Sequence, residues 1–165
     1  RIFGVLLVLV LLTIVWWQYF TYVASRPVTP SVKRLGFFLL GHALLVLGLG
    51  SAALALTEVA LALEEALTLP VIAGILGGSL ALVYAGLTII VANSTGPRSQ
   101  LIILTLTTGS FGSVGFLFWA TWEIDEQTLS LLMIAIALGA LFLTVGTSRN
   151  SRSETRPQIH HAAPE

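Results

Sequence analysis

Long apolar runs alternate along the chain with short polar breaks. The runs at 2–25, 35–57, 71–92, 101–120 and 129–146 each approach the length of about 20 residues that a helix needs to cross a hydrocarbon core roughly 30 Å thick. The breaks are rich in residues that end helices. Arg26-Pro27 closes the first run, and Asn93-Ser94-Thr95-Gly96-Pro97-Arg98 closes the third; both are turn-forming clusters. Past Leu56 the second run continues through Thr57-Glu58 into Leu61 and Glu64-Glu65, an amphipathic extension that stays helical beyond the membrane. Pro70 suits the first turn of a third helix, where its missing N–H has no partner to lose. The fourth run gives way to Trp122-Glu123-Ile124-Asp125-Glu126, aromatics beside acids as at a membrane interface. The pattern predicts an all-α fold, a polytopic transmembrane bundle of about five spanning helices over 1–148, followed by a polar tail at 149–165.

Composition strengthens that reading. Of 165 residues, 56% are hydrophobic and 10% charged, with a mean hydropathy of +0.93, well outside the range of soluble globular domains. The lipid bilayer is the first expected partner. Formal net charge is zero and no basic tract is interleaved with aromatics, so nucleic acid is not an expected partner. The absence of cysteine removes disulfides and thiolate chemistry. The chain starts at Arg1 and is apolar from Ile2, which reads as a truncated first helix, the ordered part of something longer.

Charge orients the bundle. An alternating five-span path puts Arg26, Lys33, Arg34, Arg98, Arg149, Arg152 and Arg156 on one side, with Glu154 the exception. Glu58, Glu64, Glu65, Glu123, Asp125 and Glu126 fall on the other, with Arg1. By the positive-inside rule the basic side, and with it the C-terminus, is cytoplasmic.

No catalytic motif is present: there is no HExxH, no phosphate loop and no paired intramembrane carboxylates, so an enzyme is not expected, nor a metal site. Attention falls on the polar residues inside the spans. His42 lies eight residues past Arg34, and Gln18 eight before Arg26, so both sit roughly 12 Å of helix rise below the same surface. Tyr19, Tyr84 and Thr108 fall at comparable depth, and the five define a candidate polar layer. Intramembrane ionisable groups are functional candidates by default. Two readings of His42 stay open: a solute or proton pathway past the imidazole, or an axial ligand to a chlorophyll-type pigment in a subunit of a photosynthetic or respiratory complex, with other membrane subunits as partners. A third holds it to be a neutral side chain that fixes packing. Small residues at Gly74 and Gly78, and at Gly109 and Gly112, are expected to mark close helix contacts. Two adjacent tail histidines, His160 and His161, make a weak metal signal.

Trp16-Trp17-Gln18-Tyr19-Phe20 closing one helix, Gly41-His42 early in the next and Glu58 at its far end resemble the C-terminal half of the bacterial low-temperature-requirement A (LtrA) membrane proteins. Thr21, Phe37, Phe38 and Thr57 depart from that pattern: the family usually carries an acid after Tyr-Phe, tyrosines before the histidine and a glycine before the glutamate. The resemblance implies a multi-pass protein of the bacterial inner membrane, preceded by a missing N-terminal half, with a cavity or transport role, and names no substrate.

Overall fold

The computed structural model describes residues 2–24, 31–61, 69–94, 98–121 and 126–154, with side chains at 9–23, 31–55, 57, 70–94, 98–121, 128 and 131–146. Within them the fold is five helices: α1 (Ile2–Tyr19), α2 (Val32–Leu61), α3 (Leu69–Ala92), α4 (Arg98–Thr121) and α5 (Glu126–Glu154), with no strand among the described residues. A π-helical turn, Phe20–Ala24, continues α1. One boundary follows directly from local chemistry. Pro70 is the second residue of α3, where a proline costs no hydrogen bond. The α2 helix is described to Leu61, and the rest of the amphipathic extension, Ala62 to Glu65, lies outside the described residues. At the other end of the chain the backbone of α5 is described to Glu154, so the first residues of the polar tail, from Arg149, are helical. After Gly146 the sequence carries no glycine or proline until Pro157.

The central helix is α3, packed along its length by α2 on one side and α4 on the other, while α1 and α5 close the bundle more loosely. Glycine decides where the close contacts form. A methyl group added to Gly41 would lie 2.8 Å from the Gly86 carbonyl oxygen, and one on Gly48 would lie 2.6 Å from that of Ser79. Residue numbers rise on α2 as they fall on α3, so the two helices are antiparallel. Between α3 and α4 the crossing point is Gly77 against Gly115, where an added methyl on Gly77 would also lie 2.9 Å from the Phe111 oxygen. Lipid offers no hydrophobic drive between helices, so backbone approach of this kind is what holds them.

That crossing corrects the expected packing positions. Methyls on Gly78 or Gly109 would meet nothing within 4 Å, while Gly74 and Gly112 make only ordinary contact with Trp119 and Ala81. The tightest contact stripe on α3 is Ala73, Gly77 and Ala81, one residue around the helix from Gly74 and Gly78, so Gly74 stays at the edge of the α4 contact against Trp119 and Gly78 turns away.

The bundle is apolar outside as well as inside. Val46, Leu54, Leu106, Phe116 and Phe142 are all more than 60% exposed, whereas Gln18, Ser79, Thr107 and Thr144 are buried. An apolar exterior of this extent is a membrane-facing surface. Val32–Ala55, Pro70–Ala92 and Arg98–Thr121 are long and apolar enough to cross a bilayer, and the apolar stretches Leu9–Val23 and Leu131–Gly146 are shorter. Lys33, Arg34 and Arg98 stand at one end of this antiparallel array. The side chains of Arg1, Arg26, Arg149, Arg152, Arg156, Glu154 and the six acids assigned to the opposite end lie outside the described residues, as do His160 and His161.

Candidate functional site

Polar side chains within the spans first satisfy themselves locally. Thr13, Thr57, Thr88, Thr105, Thr107, Ser110 and Thr121 all donate to the carbonyl four residues earlier, the usual resolution for a hydroxyl in an apolar helix. Thr108 does the same, donating to Leu104 at 2.8 Å. That bond uses the donor of the hydroxyl within α4, and Thr108 bonds none of the other four candidates among the described residues.

The other four candidates pair off on two sides of α1. Gln18 is fully buried, and its Oε1 accepts the Tyr84 hydroxyl at 2.6 Å. The Tyr84 ring stacks on Phe111, centroids 5.2 Å apart, so this couple joins α1, α3 and α4 in the core. Gln18 Nε2 has no acceptor among the described residues. One position on, Tyr19 points toward α2, where its hydroxyl meets His42 Nε2 at 2.9 Å.

The state of the imidazole follows from its other contact. Nδ1 lies 2.9 Å from the Phe38 carbonyl oxygen, which can only accept, so Nδ1 carries a hydrogen and donates it. In the neutral ring Nε2 is then the acceptor, and Tyr19 donates to it. Both nitrogens are engaged. Axial ligation of a metal through Nε2 would require Tyr19 to leave. The Phe38 ring lies over His42 with centroids 4.2 Å apart, and Tyr19 meets it edge-on at 5.8 Å. His42 is half-buried.

One buried contact escapes sequence reasoning. Tyr22 hydrogen-bonds Thr144 of α5 across 122 residues, and Thr144 itself donates to Ala140 at 2.6 Å, which leaves Tyr22 as the donor. Only the i, i+4 spacing of Gln18 and Tyr22 hints that both face inward; nothing local marks Thr144 as the partner. Beside Tyr22 a small cavity of about 20 Å³ is lined by Val23, Arg34, Phe38, Ile90, Asn93 and Ser94.

Comparison of the chain with protein-family models, with curated proteins and with solved structures gives no match.

Proposed function

We propose that this chain is a multi-pass protein of a bacterial cytoplasmic membrane, its C-terminus inside, that handles protons through the Tyr19–His42 couple. The observation that carries the reading is the 2.9 Å bond from the Tyr19 hydroxyl to His42 Nε2, with the opposite nitrogen held by Phe38. Proton uptake at Nε2 gives the imidazolium, and Tyr19 turns from donor to acceptor; release restores the neutral tautomer. The cavity beside Phe38, about 20 Å³, lies one turn of α2 from His42 and holds little more than a single water. The resemblance to the C-terminal half of the LtrA proteins supports the same reading, since Tyr19 and His42 both belong to the segments that carry it.

Proteoliposomes loaded with a pH-sensitive dye test the proposal. Vesicles containing the full chain should dissipate an imposed pH difference faster than empty ones. His42→Phe should abolish that excess and Tyr19→Phe should reduce it. A wild-type rate equal to that of empty vesicles, or an undiminished rate in His42→Phe, would overturn it.

A further inference from the structure

Arg34, Phe38 and His42 are spaced by four along α2, so they form one stripe on its surface, each roughly 6 Å of rise from the next. Arg34 stands at the membrane-surface end and His42 two turns in. The cavity lies along the first step of this stripe, between α2, the π-helical turn and the end of α3, and both Arg34 and Phe38 line it. Its polar lining comes from Arg34, Asn93 and Ser94. Asn93 donates through Nδ2 to Ile89, which leaves Oδ1 as an acceptor. A volume of about 20 Å³ exceeds the minimum for one water, and polar groups on two sides are what such a water needs.

The second step of the stripe is closed. Phe38 stands at the wall of the cavity and lies tilted by 43° against the His42 ring, centroids 4.2 Å apart. Its backbone oxygen also holds Nδ1–H. The part of the imidazole that protein leaves uncovered sits at span depth, where the surroundings are hydrocarbon and carry no water. Among the described residues, the approach to this ring from the Arg34 end runs past the aromatic ring of Phe38.

We infer that the cavity beneath Arg34 is a hydration site serving His42, and that the Phe38 ring is the barrier between them. The inference rests on the proposed proton handling for its biological sense, but its test does not. In the full chain held in lipid nanodiscs, deuterium uptake from heavy water at the His42 imidazole carbon is read by mass spectrometry, with His160 and His161 of the same chain as reference histidines. Phe38→Ala should accelerate uptake at His42 severalfold, and Phe38→Leu should fall between it and wild type. Adding Val23→Trp, which fills the cavity, should return the Phe38→Ala rate to the wild-type value. If Phe38→Ala does not fold, judged by circular dichroism, Phe38→Leu alone decides. Unchanged uptake on opening Phe38 would overturn the barrier, and uptake insensitive to Val23→Trp would overturn the cavity as the source. Faster uptake without proton flux in vesicles would remove the proposed function and leave the barrier standing. Flux with unchanged uptake would do the reverse.

Discussion

Gln18 carries a buried amide nitrogen with no acceptor among the described residues, next to an oxygen that takes a 2.6 Å bond from Tyr84. Removing one partner of such a couple strands the other, at a penalty of about 1–3 kcal/mol. Replacing both by apolar groups of similar shape leaves nothing stranded. Tyr84→Phe should accordingly destabilise the bundle in detergent, while Gln18→Leu combined with Tyr84→Phe should melt near or above wild type. A double variant less stable than Tyr84→Phe alone would show that the couple contributes more than its own satisfaction. Of the polar layer, Gln18, Tyr19, His42 and Tyr84 were legible in the sequence, because depth follows from counting residues to the nearest surface charge. Their division into two couples was not, since it depends on which way adjacent residues point around α1. Thr108 stands apart from both couples for a different reason: its own helix offers the hydroxyl a carbonyl at i−4 before any other helix does.

At the scale of the elements, the five helices could be read from length and hydropathy alone, and their ends from proline, glycine and charge. The faces could not. Small residues occur in α3 both at 73, 77 and 81 and at 74 and 78, and spacing alone cannot choose between two stripes that satisfy the same rule. Only the approach of α4 at Gly115 selects the first. The choice has a measurable consequence. Gly77→Ala and Gly115→Ala force backbone against backbone and should destabilise the α3–α4 contact by about 1–3 kcal/mol, as overpacking does. Gly78→Ala and Gly109→Ala meet open space and should be neutral or stabilising by roughly 0.5–1 kcal/mol, the helix preference of alanine over glycine. Thermal unfolding of the four variants in one detergent makes the comparison, and equal effects across the two pairs would contradict the crossing point. The π-helical turn at Phe20–Ala24 left no trace in the sequence. Such turns form where packing, not local propensity, sets the helical register, and here the segment includes Tyr22, which bonds Thr144 of the distant α5.

Across the whole molecule the antiparallel order of α2, α3 and α4 places Ser31, Arg34 and Arg98 at one end and Thr57 and Thr121 at the other. From Ser99 to Thr121 the rise of α4 is about 33 Å, a full crossing of a core roughly 30 Å thick. Cytoplasmic loops accumulate lysine and arginine, so the end with Lys33, Arg34 and Arg98 should face inward. The chain has no cysteine, which makes every introduced thiol unique. Ser31→Cys and Ser99→Cys should react with a membrane-impermeant maleimide only after the cells are opened, whereas Thr57→Cys and Thr121→Cys should react in intact cells. Complete reversal would invert the orientation and put the cavity beneath Arg34 on the outer face. Labelling of Ser99→Cys and Thr121→Cys from the same side would break α4 as a crossing segment and the alternation with it. The expected pattern instead gives His42 a direction: the approach past Phe38 from the cavity opens on the cytoplasmic side, so the proposed proton pathway should load from that side.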